Sequence, residues 1–330
     1  MQVSSPRSDR WPPHAFWRTA VCVVSALASV AALGQTIKHM SDSGAKGVAA
    51  SIGKDATPTA WSVTTNPEHL VNGGALLFLV KPPVPMKSLN ATWLGHSIVF
   101  FPNADSQTSA SWYALAGISL ETQPGSYSLE LTGITDKGQT SKFEQKFSVA
   151  NGSYETIELT VSKEFTAPTP EQMEIIRRDQ ETKKKTFEEV TPDREWAGPF
   201  TPPVDAPTSD VFGTRRVFNG VTKSVHQGLD YRVPAATPVD AVNDGTVILA
   251  RPLYFEGNFV VIDHGQGLLT LYLHLSEFKV KEGDKVKRGQ LIGLSGATGR
   301  ATGPHLHIAV RWQGTYLNPA ALLRLPIPKA

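Results

Sequence analysis

Apolar residues recur at every second position in three stretches of the second half of the chain. In Val225–Val233, the apolar positions Val225, Leu229, Tyr231 and Val233 share one parity with Gln227, and the other parity holds His226, Gly228, Asp230 and Arg232. A period of two is the signature of a strand. On an extended chain it puts His226 and Asp230 on one face with only Gly228 between them. Pro304–Val310 repeats the arrangement: Leu306, Ile308 and Val310 point one way, His305 and His307 the other. In Leu268–Leu275, Leu269, Leu271, Leu273 and Leu275 alternate with Thr270, Tyr272 and His274. The pattern predicts three strands, each with an apolar face and a face bearing histidine. If those faces share one side of a sheet, four histidines and an aspartate converge.

The first half also reads as β. Strands are expected at Ala75–Val80, Ser97–Phe101, Trp112–Ile118, Ser126–Leu131, Phe143–Val149 and Thr156–Val161. Turn signals separate them, among them Asn72-Gly73-Gly74, Pro124-Gly125, Asp136-Lys-Gly138 and Asn151-Gly152. Short strands at this spacing predict a β-sandwich, here of immunoglobulin-like type without that domain's disulfide. His69 and His96 fall in this half without a ligand-spaced partner, and they read as structural or surface residues.

Between the halves, Glu171–Glu189 is rich in Glu, Lys and Arg and has no Gly or Pro. It predicts an exposed helix, with Glu174/Arg178 and Glu181/Lys185 as i,i+4 pairs. Lys183-Lys-Lys185 reads as a solvated face. Pro192, Pro199, Pro202, Pro203 and Pro207 then predict a stiff linker. The helix and linker stand next to the candidate site in sequence, which raises the possibility that they cover its groove.

Length and composition refine this picture. A chain of 330 residues exceeds the usual single-domain size. A net charge of +2 with mixed signs points to no nucleic-acid partner. Arg7, Arg10 and Arg18 precede the uncharged run Thr19–Gly34, the form of a signal peptide. Ala32 and Gly34 suit cleavage after Gly34, and an uncleaved anchor is the other reading. Cys22, the one cysteine, lies in that run, so the mature chain would have neither disulfides nor cysteine-ligated zinc. The expected domains are therefore a signal peptide or anchor at 1–34, a tether at 35–57 and a β-sandwich at 58–165. A helical and Pro-rich linker at 166–195 and a metal-binding β domain at 196–330 complete the chain.

Four imidazoles and a carboxylate suit zinc, which takes nitrogen and oxygen donors and prefers four ligands. Three protein ligands with one position left for water is the catalytic pattern; two imidazoles then remain for proton transfer or oxyanion stabilisation. A purely structural zinc site would use four closed ligands, often with cysteine. His264, at the Gly265-Gln-Gly267 hairpin turn, stands off the alternating face.

These residues resemble a known family. His226-x-x-x-Asp230, Tyr272-Leu-His274 and His305-Leu-His307 are similar to the motifs of lysostaphin-type (LytM-like) zinc metallopeptidases. Thr237-Pro-Val239, Asp244-Gly245, Asp263-His-Gly265, Gly283-Asp-Lys-Val286, Gly289-Gln290 and Thr298-Gly299 extend the resemblance over about 196–322. It implies an antiparallel β-sheet peptidase domain and one Zn2+ per chain, held by His226, Asp230 and His307. It also implies that His274 and His305 are the catalytic histidines. The implied function is an exported endopeptidase acting on the stem peptides or cross-links of peptidoglycan, in the periplasm or cell envelope. Arg216 and Asn219 stand where they could reach substrate. A non-catalytic envelope regulator of a wall amidase or division protein is the alternative. Beside a wall hydrolase, the β-sandwich would bind wall polymer, bind an envelope protein, or space the catalytic domain. A lipoyl- or biotin-carrier domain, suggested by Gly283–Gln290, lacks its modified lysine beside methionine.

Overall fold

The computed structural model describes residues 60–103, 111–159, 168–188, 191–218 and 222–329. The expected signal or anchor segment, the tether, Cys22, Asn219 and the end of the strand expected to reach Val161 lie outside the described residues. Among the described residues no helix is long and apolar enough to cross a membrane.

The first half contains β1 (Ser62–Asn66), β2 (Leu70–Val71), β3 (Ala75–Lys81), β4 (Met86–Trp93) and β5 (His96–Val99). It continues with β6 (Phe101–Pro102), β7 (Trp112–Gly117), β8 (Gly125–Thr135), β9 (Thr140–Ala150) and β10 (Thr156–Leu159). One sheet runs β1-β3-β7-β6 and another β2-β9-β8-β4-β5. Aromatic side chains join them: Phe78 of the first sheet meets Trp93 and Phe147 of the second at 5.3 and 5.5 Å. The indole N–H of Trp93 donates to Gly117 O at 3.1 Å, which satisfies its one polar atom inside this core.

Two expectations are corrected here. Strand β4 has no counterpart in the sequence reading, because a register shift between Met86 and Ser88 breaks its period of two until Leu89. Strand β10, expected to belong to the sandwich, instead pairs in parallel with Arg215–Phe218 of the second half. Alternation of Ile157 and Leu159 signals a strand but carries no information about its partner.

Helix α1 (Pro170–Glu188) forms as expected. Its start is a capping box: Thr169 Oγ1 accepts from Gln172 N, and Gln172 Oε1 accepts from Thr169 N at 2.8 Å, with Pro170 at the first turn. The ion pairs differ from those expected. Arg177, rather than Arg178, pairs with both Glu174 and Glu181, and Lys184 pairs with Glu188. Lys183 is partly buried, and it meets Glu256 of the second half. Asp179 accepts from Tyr254 N at 2.6 Å, and Phe187 lies 4.7 Å beneath the Arg311 guanidinium. The Pro-rich segment is likewise a packed element rather than a spacer. Trp196 and Phe200 are buried, Glu195 N donates to His264 O, and Arg194 stacks 4.0 Å from the Phe101 ring.

The second half contains β11 (Thr208–Asp210), β12 (Arg215–Phe218), β13 (Thr222–Val225), β14 (Leu229–Tyr231), β15 (Pro238–Asp240) and β16 (Gly245–Leu253). Strands β17 (Gly257–Asp263), β18 (Leu268–Leu275), β19 (Glu277–Phe278), β20 (Lys285–Val286) and β21 (Leu291–Leu294) follow. Strands β22 (Leu306–Trp312) and β23 (Thr315–Leu317) and helix α2 (Pro319–Leu322) end it. The main sheet runs β11-β14-β22-β18-β17-β16-β20, with β23 also on β22. Its central strands are buried on both faces. Leu268, Tyr272, Leu306, Ile308 and Val310 join the large core, while Val261, Leu269, Leu271 and Ala309 form a second cluster with Leu249, Leu253 and Phe259. Phe187 of α1 packs on that second cluster.

Candidate active site

Strands β14, β22 and β18 lie side by side. Asp230 sits opposite His307, and His307 sits opposite Leu273. Paired residues of antiparallel neighbours share a face, so Asp230 and His307 rise from the face that carries Leu271, Leu273 and Ala309. His226 does not belong to the same strand as Asp230, contrary to the alternation. Four residues of extended chain would separate them by about 13 Å. Their side chains instead meet, His226 Nε2 to Asp230 Oδ1 at 3.1 Å, because the chain turns between β13 and β14. Gly228 makes this possible: a Cβ there would lie 2.3 Å from His307 Nε2 and 2.5 Å from Ile308 O.

Three donor atoms converge. His307 Nδ1 is 2.7 Å from Asp230 Oδ1 and 3.0 Å from His226 Nε2, and all three residues are buried. The Nδ1–H of His226 donates to Val211 O at 2.9 Å, which leaves Nε2 facing Asp230 and His307. Arg216 spans Asp210 and Asp230, with Nη2 at 2.5 and 2.7 Å from their Oδ2 atoms. Burial would raise the Asp230 carboxyl, but hydrogen bonds from His226 and His307 outweigh it and hold the group well below the usual carboxylate range. Burial likewise works against the Asp210 charge and loses to His226 and Arg216. Among the imidazoles, burial pushes His307 down to about 4. His226, between two carboxylates, is raised despite its burial. The two rings share the Asp230 carboxylate.

His274 reaches this site by breaking the alternation rather than by following it. Thr270 and Tyr272 face the large core: Thr270 Oγ1 is 2.8 Å from His264 Nε2, and Val242 N donates to Tyr272 OH at 3.0 Å. Parity would send His274 the same way. Its φ of 61° turns the strand end instead, and its ring comes 4.8 Å from His305 and 6.1 Å from His307. A non-glycine residue in this region is strained, and such strain gathers at functional sites. The Nδ1–H of His274 donates to Thr298 O, and that of His305 to Gly303 O, each at 2.8 Å. Carbonyls only accept, so both rings keep Nε2 as an acceptor. Burial first, and then the neighbouring His307 and His305, lower His274 to about 3. His264 lies buried at its hairpin, its Nδ1–H donating to Asp244 O at 2.6 Å, away from this cluster.

The cluster opens into a cavity of about 440 Å³ whose walls include Arg216, Arg232, Phe255, Glu256, Arg300 and the 301–305 loop. A second opening of about 200 Å³ shares His307 and Leu273 and extends to Lys183, Gln227 and Tyr316. Sequence reasoning missed Asp210, Arg232, Glu256 and Arg300. Asp210 has no spacing relation to the other acidic or histidine residues that could have marked it. Arg232 carried a usable signal, since it shares the parity of Asp230.

A buried His/Asp/His donor set beside two imidazoles with accepting nitrogens, on one face of an antiparallel sheet, defines a metal-dependent hydrolase. The sequence model of peptidase family M23 matches residues 224–319. The peptidoglycan DD-endopeptidase ShyA of Vibrio cholerae is 39% identical over 170 residues, 51% of this chain and 36% of that protein. The DD-carboxypeptidase/endopeptidase Mpg of Neisseria meningitidis is 44% identical over 108 residues, 33% of this chain and 25% of that protein. The chain thus spans well under two thirds of the length of these relatives. A crystal structure from Pseudomonas aeruginosa, assigned to peptidase M23, superposes with a TM-score of 0.56 at 30% identity, over 77% of this chain and 94% of that one. The chain belongs to peptidase family M23, a family of metallopeptidases.

Proposed function

We propose that this chain is a zinc-dependent endopeptidase of the cell envelope that hydrolyses peptide bonds in the stem peptides or cross-links of peptidoglycan. The donor set of His226, Asp230 and His307 beside His274 and His305 carries the reading. Its atoms stand 2.7–3.1 Å apart. Ligands about 2.0–2.1 Å from a tetrahedral zinc lie roughly 3.3 Å from one another, so small outward shifts fit the ion. Two neutral nitrogens and one carboxylate leave a fourth position, the arrangement of catalytic rather than structural zinc.

When bound, zinc supplies Lewis acidity and a water that is nucleophilic near neutral pH. The protein's own groups then handle protons. Nε2 of His274 or His305 accepts the proton of the attacking water. The protonated ring returns that proton to the departing amine as the carbon–nitrogen bond breaks. Arg216 fixes the Asp230 carboxylate through Oδ2 and leaves Oδ1 for the metal.

Relatives that carry the names of peptidoglycan endopeptidases support the substrate and an exported location. A complete donor set speaks against the regulator alternative. The two facing sheets of the first half support the immunoglobulin-like sandwich of this reading, whose proposed role is to bind wall polymer or an envelope protein or to space the peptidase domain. The test is a digest of defined wall peptides by the zinc-loaded chain and by His305→Ala, read by mass spectrometry. New amine termini at one bond, absent with the variant, are expected. Intact peptides despite bound zinc would overturn the proposal.

A further inference from the structure

We infer that Arg232 is a specificity-determining residue that binds a free carboxylate of the substrate within about one residue of the scissile bond; this rests on the peptidase reading above. Three arginines line the larger cavity, and they are not equivalent. Arg216 is committed to Asp210 and Asp230. Arg300 is half-buried, with its guanidinium 4.7 Å from the Phe255 ring. Arg232 is exposed, and among the described residues its guanidinium has no ion-pair or hydrogen-bond partner.

Its placement is fixed by the backbone. Arg232 N donates to Pro207 O at 2.9 Å and prolongs the β14–β11 pairing past Tyr231. Tyr231 and Val233, on either side, are each 5% exposed and face the core. Arg232 therefore leaves the chain on the side of Asp230, two residues from a proposed zinc ligand, and lines the same cavity as His305 and Gly303. The one lysine lining these two cavities, Lys183, sits at the opposite opening and is paired with Glu256. The Arg232 end thus carries an uncompensated positive charge beside the reacting position.

A guanidinium matches a carboxylate with two parallel hydrogen bonds, and apolar walls such as Ile157 and Phe255 strengthen such a contact. Wall peptides offer the matching group in two places: the α-carboxylate of a diamino acid whose amine forms the cross-link, and the carboxylate ending a stem. Oligoglycine bridges carry none beside the cleaved bond.

The experiment uses the zinc-loaded chain and cross-linked peptide dimers with each carboxylate free or amidated in turn. Wild type is expected to prefer the free form at one position by roughly 10- to 100-fold in kcat/KM, as expected for a lost charge-assisted pair. Most of the effect should appear in KM, since the contact is made in the ground state as well. R232Q is expected to bring the free-to-amidated ratio close to one, and R232K to restore part of it. Equal cleavage of all forms by wild type, or a preference that survives R232Q, would overturn the role of Arg232 and leave the peptidase standing. Wild type that cuts no dimer of either kind would overturn the peptidase reading itself, and this inference with it.

Discussion

His307 and His305 lie two residues apart, yet the structure puts them to different uses. His307 aims Nδ1 at Asp230 and His226, while His305 turns Nδ1 to a backbone carbonyl and keeps Nε2 for the cavity. His307→Ala is therefore expected to lose zinc in a chelator-competition titration. His305→Ala should retain zinc and lose turnover by about 10²–10⁴-fold, the usual range for a general acid–base group. Equal zinc affinity of wild type and His307→Ala would sink the ligand assignment. A second residue-scale prediction concerns His264. Burial, only partly offset by its bond to Asp244 O, depresses its folded pKa to about 4. The unfolded imidazole titrates near 6.5, so the unfolded state binds the extra proton between those values. The stabilisation is complete above about pH 6.5 and is lost as pH falls toward about 4, roughly 3 kcal/mol in all. Urea denaturation at pH 4.5 and 7.5 should show this difference in wild type and a smaller one in His264→Gln. Identical pH dependence in both would refute it.

At the scale of elements, the site depends on where strands fail to continue. The break between β13 and β14 brings His226 back onto Asp230, and the φ of 61° at the end of β18 brings His274 to the face that carries His307. Gly228→Ala tests the first break. The added carbon would meet the His307 ring and the Ile308 carbonyl at 2.3 and 2.5 Å. Zinc affinity is expected to fall at least tenfold while the chain still folds, measured by zinc titration alongside circular dichroism. Unchanged affinity would mean that the bend tolerates a side chain. Helix α1 bears on the same face. Its Lys183 meets the carboxylate of Glu256, whose own carbonyl accepts from His274 N at 2.9 Å. The helix expected from charge pattern alone thus has a fixed seat at the rim of the site, which no i,i+4 rule could supply.

Over the whole molecule, the Pro-rich segment joins the two halves by packing. Trp196 is 2% exposed and meets Phe101 and Phe200 at ring distances of 6.2 and 6.1 Å. Arg194 donates to Tyr113 OH at 2.5 Å, and Gln313 of the second half donates to Ser97 O at 2.9 Å. Trp196→Ala is expected to cost about 3–5 kcal/mol, the range for a buried aromatic. Wild type should unfold in one transition and the variant in two, followed by calorimetry. A variant with unchanged stability would show that the linker is only a tether. By itself, the sequence determined the β character of both halves and the helix at 170–188, since local periodicity and charge pattern record them, and it marked His226, Asp230, His274, His305 and His307 as candidates without their true placement on the strands. Only the tertiary structure decided that β10 pairs with β12, that Leu271 and Leu273 face the groove while Tyr272 faces the core, and that Arg216 bridges Asp210 and Asp230. Strand period fixes two faces but not which face meets which layer. One residue at positive φ reverses the sides, and residues far apart in the chain meet only once the sheet has closed.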